Sequence, residues 1–276
     1  MGVRRPGRLG PAPKANPRRI VTIAPSLTEV IIALGAGARV VGVSRYDDFP
    51  EVKKATRIGG YVDPDLETIL LLEPDLVIAE PSPGNESVVR KLASLGIPVR
   101  VVHGASLLEL RLQIEVLARD LGTPEAGVAL MGRIEARLEA VKQALKGAPR
   151  KRVLLVVGQA PLVVAAPGSL VHELLELGGA KNVVPTSASP YPIYALEAAI
   201  VADPEVVLDF SGQPLSERPA SLATLGAVKA GRWITLADTS LLRPGPDVVR
   251  AVEVIARTLH PERFELPSKR PESPAP

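Results

Sequence analysis

Apolar and polar positions along this chain follow two alternating periods. Short runs of β-branched and aliphatic residues (RIVTIAP at 19–25, VVGV at 40–43, DLVIAE at 75–80, VRVV at 99–102) alternate with stretches in which apolar residues recur every three to four positions. The first pattern predicts strands. The second predicts helices around 66–72, 86–95 and 106–121, with another opening at SLTEVIIALGAG, where Ser26 and Glu29 have the spacing of a capping box. Strands alternating with helices form βαβ units, so an α/β fold with largely parallel sheets is expected.

From residue 151 the same order returns. KRVLLVVG (151–158) answers RRIVTIAP, and SLVHELLELGGAKNVV (169–184) answers SLTEVIIALGAGARVV (26–41). A helix at 195–202, the strand EVVLDF, the helix LATLG, the strand RWITLAD and a last helix at about 246–259 follow. A constant offset of 130 pairs Leu66 and Glu67 with Leu196 and Glu197, Pro74 with Pro204, Val77 with Val207, and LASLG (92–96) with LATLG (222–226). The chain therefore reads as two similar Rossmann-like lobes.

Between the lobes the alternation stops. Val128, Met131, Ile134, Leu138, Val141 and Leu145 fall on one face of one long helix, opened by Pro124 and closed by Gly147 and Pro149. About 22 residues at 1.5 Å each make a rod of roughly 33 Å. The expected organisation is a disordered basic tail (1–18), an N-terminal lobe (19–123), a single connecting helix (124–149), a C-terminal lobe (150–266) and a second disordered tail (267–276). Ligands of open parallel sheets bind outside the carboxyl ends of the strands, so two facing lobes would hold a ligand in a cleft. One stiff helix between them would allow only a small hinge motion.

Composition narrows the chemistry. Of 276 residues, 46% are hydrophobic, enough for real cores, and no apolar run approaches the roughly 18 residues of a membrane span. There is no cysteine, hence no disulfide, thiolate metal site or cysteine nucleophile. The net charge is +3, but residues 1–19 carry six cations and no acid, which leaves −3 on the rest. Positive charge on a Pro/Gly-rich tail rather than on the folded body argues against nucleic-acid binding. The tail has a basic start without the apolar stretch of a secretory signal, so the compartment stays open.

Enzyme motifs are missing. GAGARV (35–40) imitates a dinucleotide fingerprint but follows a helix and precedes a strand, the reverse of the required order. Neither a phosphate loop nor a GxSxG elbow occurs. His103, His172 and His260 lack metal-ligand spacing; only His103, after a strand, could face a ligand. Aromatics make up 3% of the chain, and all four tyrosines (Tyr46, Tyr61, Tyr191, Tyr194) stand in loop contexts. Loop tyrosines suit either the covering of loop bases or the gripping of a large flat ligand. Glu67 and Glu197 each open a helix, six residues after a tyrosine, at equivalent points of the repeat. A carboxylate is favoured at such a helix end, yet two equivalent acids would also suit a partner of two-fold symmetry.

The combination of APSLTE, GVSRYDDFP, LEPDLVIA and LASLGIPV resembles the helical-backbone (class III) substrate-binding proteins of ABC importers, and within them the cobalamin carriers. The resemblance runs from about Arg19 to His260. It implies a non-enzymatic, periplasmic protein, monomeric when free, with no cofactor. Such a protein would capture a corrinoid between its lobes and deliver it to a permease dimer with its ATPase subunits. Residue by residue, Tyr46 matches a ligand-stacking tyrosine, and Tyr61 and Tyr191 match positions held by tryptophan in the cobalamin carrier. Thr239, Ser240, Leu241, Leu242 and Arg243 match a loop that touches the corrin, with only Arg243 kept in type. Glu67 and Glu197 match the two acids that engage permease arginines. Haem, a ferric siderophore and a stand-alone intracellular corrinoid binder remain alternatives.

Overall fold

The computed structural model describes residues 3–264; the tail expected at 267–276 lies outside them. The chain divides into two compact units. Of the described residues, the first takes in those up to Glu135 and Leu242–Val248; the second comprises Ala136–Leu241 and those from Val249 on.

The elements of the first unit are β1 (Gly7–Leu9), β2 (Ile20–Thr22), α1 (Pro25–Ala33), β3 (Val40–Val43), β4 (Thr56–Arg57), α2 (Leu66–Leu71), β5 (Leu76–Ala79), α3 (Glu86–Ser94), β6 (Val99–Val101) and α4 (Leu107–Asp120). Helix α5 (Pro124–Ala144) begins in this unit and ends in the second. The sheet has the order β1-β6-β5-β2-β3-β4, parallel throughout except for β1. Strands β2 and β5 pair Ile20 with Leu76, Val21 with Val77 and Thr22 with Ile78, and neither strand exposes a side chain. Helices must therefore cover both faces of the sheet. On one face Val21, Val77, Ala79 and Val99 pack with Ile69 of α2 and with Val89 and Leu92 of α3.

The second unit comprises β7 (Lys151–Gln159), β8 (Leu162–Val164), α6 (Leu170–Leu177), β9 (Ala180–Asn182), α7 (Leu196–Ala202), β10 (Val206–Asp209), α8 (Gly226–Lys229), β11 (Trp233–Thr235) and α9 (Val248–Leu259), whose first residue counts with the first unit. Its sheet runs β11-β10-β7-β8. The long β7 pairs in parallel with β9 through its first residues and antiparallel with β8 through its last. Leu154, Val156, Val164, Val207 and Trp233 form the core with Ala199 of α7. Two parallel-dominated sheets in an α/β chain are the fold class expected from the repeat.

Three expectations need correction. The tail expected to be disordered over 1–18 carries structure in its described part: β1 pairs with β6, and the Arg4 guanidinium holds the buried Glu109 through two hydrogen bonds of 3.2 and 3.1 Å. Both partners were waiting, one an edge strand with unpaired backbone groups, the other a buried carboxylate without a cation. Ser26 and Glu29 form no capping box, because Pro25 starts α1 one residue early; Ala24 is the N-cap and makes no side-chain bond. The buried stripe of α5 is also rotated: Val128 is 76% exposed, whereas Gly127 and Leu130 are buried with Ile134 and Val141. Gly127 explains the rotation, since a Cβ there would lie 2.6 Å from Ala118 Cβ on α4.

Close packing gives a first prediction. A Cβ at Gly42 in β3 would stand 2.6 Å from Leu72 Cδ1 and 3.0 Å from Ile58 and Val21 side chains. Gly42→Ala should destabilise the protein by about 1–3 kcal/mol through overpacking. Urea denaturation measures this, and an unchanged midpoint would contradict the tight fit.

Candidate functional site

In the first unit the carboxyl ends of the strands carry a row of side chains, each delivered by the loop that leaves its strand. Ser44 follows β3, and its Oγ accepts the Tyr46 backbone N–H at 3.0 Å. This turn leaves the Tyr46 ring 61% exposed, with the Arg45 guanidinium 5.8 Å from its centre. Arg45 also pairs with Asp63, and its backbone N–H donates to the Gly59 carbonyl at 2.7 Å. The loops bearing Tyr46 and Tyr61 are thereby fastened together. Gly60 lies directly under the ion pair, where a Cβ would stand 2.3 Å from Asp63 Oδ1.

Tyr61 is half-buried against the core, and that burial raises its phenol above its ordinary range. The wholly buried Asn85 donates to the Tyr61 carbonyl at 2.9 Å and to the Glu80 carbonyl at 3.1 Å. Glu80 follows β5; burial raises its carboxyl, which accepts the Gly104 N–H at 3.1 Å. His103 follows β6, and burial with the nearby Arg4 lowers it, so it favours the neutral ring. The other two histidines are structural, as expected: His172 Nδ1 meets Asn182 Nδ2 at 3.1 Å, and His260 Nε2 meets the Gly179 carbonyl at 3.2 Å.

The loop matched to corrin contact is divided. Leu242 and Arg243 count with the first unit, while Thr239, Ser240 and Leu241 count with the second. Glu29 holds the first-unit part: its Oε1 accepts the Asp247 N–H at 3.0 Å, and a Cβ on Gly245 would stand 2.5 Å from its Oε2. Arg243 thus joins Tyr46 and Tyr61 in one unit, with Glu29 and the buried Asp47 both within electrostatic range. In the second unit Tyr191 is 41% exposed, Ser240 bonds to Asp238, and Leu241 is buried. Glu67 and Glu197 lie exposed in the first turns of α2 and α7.

Sequence reasoning missed Glu29, Asp47 and Glu80. The only signal was an acid at or just beyond a strand or helix end in an apolar setting, which for Glu29 was taken by the capping reading. Among the described residues no group of three or more histidines or acids could hold a metal ion. Among the described residues no helix is long and apolar enough to cross a membrane.

Glu29 sets a pH dependence. Burial, aided by the Asp247 carboxylate and opposed by the Asp247 N–H and Arg243, pushes its carboxyl up to about 7 from 4.5. Between those values the folded chain keeps a proton that the unfolded chain has released, so this group's contribution to stability falls as pH rises. Glu29→Gln keeps an acceptor for Asp247 and should flatten the fall. Unfolding free energies across that pH range test it, and an unchanged slope would exonerate Glu29.

Comparison with known proteins shows the family. The family model described as periplasmic binding protein matches residues 20–235. A vitamin B12-binding protein of Vibrio cholerae is 29% identical over 245 residues, covering 87% of this chain and 88% of the relative. The crystal structure of the periplasmic vitamin B12 binding protein BtuF of Vibrio cholerae superposes with a TM-score of 0.78 at 28% identity, over 91% of this chain and 99% of that one. A periplasmic heme binding protein from Pseudomonas aeruginosa superposes equally well, with a TM-score of 0.79 at 27% identity over 91% and 95%. With a fold of two parallel-dominated α/β units and a family match across most of its length, this chain belongs to the periplasmic binding protein family of ABC-importer substrate-binding proteins.

Proposed function

We propose that this protein captures a corrinoid outside the cytoplasm and hands it to the permease of an ABC importer, without chemistry of its own. The observation that carries this reading is the set of three tyrosines on loops of the two units. Tyr46 and Tyr191 are exposed, and Tyr61 is anchored on the core with a half-buried ring. Exposed rings held by backbone turns are preorganised for a broad, flat ligand and need little ordering when it binds. Arg243, secured through Glu29, offers a cation to the amide or acid groups at a corrin's edge. Ser240, Leu241, Leu242 and the backbone of Thr239 complete the proposed contact set. The B12-binding relatives favour a corrinoid.

Haem is the second reading, favoured by the heme-binding neighbour of equal structural similarity. Incubation with cyanocobalamin, haemin and a ferric siderophore, followed by gel filtration, decides among them by the visible spectrum that co-elutes. A haem Soret band without any cobalamin absorption would overturn the corrinoid assignment. Changing both Tyr61 and Tyr191 to Ala should weaken cobalamin binding roughly tenfold or more, since stacking contacts contribute about 0.5–1.5 kcal/mol each beyond area burial. Calorimetric titration measures this; equal affinity would make the tyrosines loop covers only.

Delivery rests on Glu67 and Glu197, one exposed acid on each unit, proposed to meet basic residues on two equivalent permease subunits. Rim charges of this kind act on encounter and orientation and are screened by salt. Replacing both by Ala should leave cobalamin affinity intact and slow uptake by reconstituted importer, most strongly at low salt. Full transport by the double variant would reduce the two acids to helix-end residues.

A further inference from the structure

The two helices that carry Glu67 and Glu197 share more than an acid. One turn later, at the i+4 position of the same helix face, α2 presents Leu71 and α7 presents Val201. They are 83% and 84% exposed, the two most exposed large apolar side chains among the described residues. Residue 201 is residue 71 displaced by the repeat offset. An isolated exposed aliphatic is ordinary. Two at the same point of a repeat, each behind an exposed acid, are not accounted for by the folding of either unit.

Two residues further on, both units again make the same choice. Glu73 and Asp203 are exposed acids in the left-handed region, with φ of 43° and 42°, each followed by a buried proline. Among the described non-glycine residues only Asn16 shares that conformation. Glycine adopts it without steric cost, and the carboxyl end of a helix disfavours negative charge. An acid at this position therefore works against local stability twice over, in both units. Thr68 stands against Ala198 and Leu72 against Ala202, while acid, aliphatic and acid recur at the three exposed positions.

We infer that Glu67, Leu71 and Glu73 on one unit, and Glu197, Val201 and Asp203 on the other, form two equivalent docking patches. In each, an aliphatic side chain enters an apolar pit rimmed by cations on one of two identical permease subunits. This rests on the docking reading above and adds an apolar, salt-insensitive anchor to it. A second copy of this chain does not fit, because facing patches would set acid against acid, and an anionic membrane surface is excluded by the same repulsion.

The test measures binding to the cognate permease–ATPase complex in lipid nanodiscs at about 0.05 M and about 0.5 M salt, where screening lengths differ roughly threefold. Leu71→Ser combined with Val201→Ser should weaken binding at least about tenfold at both salt concentrations, as expected for lost apolar burial. Its melting temperature and cyanocobalamin affinity should match the parent's, since both side chains are exposed. Glu67→Ala with Glu197→Ala should instead lose affinity mainly at low salt. Parental affinity of the Leu71/Val201 variant at high salt would overturn the apolar anchor while leaving charge docking intact. Failure of the parent protein to bind the complex would overturn the docking reading itself, and the anchor with it. Sedimentation of the free parent as a dimer that the Leu71/Val201 variant dissolves would assign the patches to self-association and overturn the inference.

Discussion

The first unit depends on the parallel pairing of two strands that expose nothing, Ile20–Thr22 and Leu76–Ala79. A strand buried on both faces needs helices on both sides, and parallel neighbours can be joined only by crossovers. Every crossover ends where the next strand begins, so the loops that leave the strands gather at their carboxyl ends. Tyr46, Tyr61, Glu80 and His103 share one edge for that reason. The second unit obeys the same rule through β7 and β10, although the hairpin partner β8 makes its sheet mixed.

That edge also concentrates acids drawn partly or wholly out of solvent, Asp47 buried and Glu29 and Glu80 half-buried. Glu29, Asp47 and Glu80 are each raised, and burial is the leading cause in every case. Glu29 and Glu80 accept backbone N–H groups rather than forming ion pairs, so they act as fasteners of loops. Glu29 secures the segment that carries Arg243, and Glu80 secures Gly104. The exposed acids of α2 and α7 behave differently: they fasten no loop, and they recur in both units.

The duplication sorts these roles. The two units differ in detail: α2 is capped by Asp65, which accepts the Thr68 N–H at 2.6 Å, whereas Ala195 gives α7 no side-chain cap. Features facing outward at α2 and α7 have kept their chemistry, down to a left-handed acid before a proline. Agreement of this kind on an exposed face is what the proposed docking to two equivalent surfaces of a partner would use.

The sequence by itself determined the strand–helix alternation, the internal repeat, the long helix from Pro124 and the surface acids Glu67 and Glu197. All of these are written in local periodicity or in spacing along the chain. Only the tertiary structure decided which face of α5 is buried, because the close approach of Gly127 to Ala118 outweighs the periodic stripe through Val128. It also decided that residues 7–9 extend a sheet. Local composition there opposed order, and the stabilising partners, β6 and Glu109, lie some ninety to a hundred residues away. The role of Glu29 was invisible for the same reason. Its spacing from Ser26 suggested a cap, but the hydrogen bond that Glu29 makes reaches Asp247, and a contact between residues so distant in sequence leaves no periodic trace in the chain.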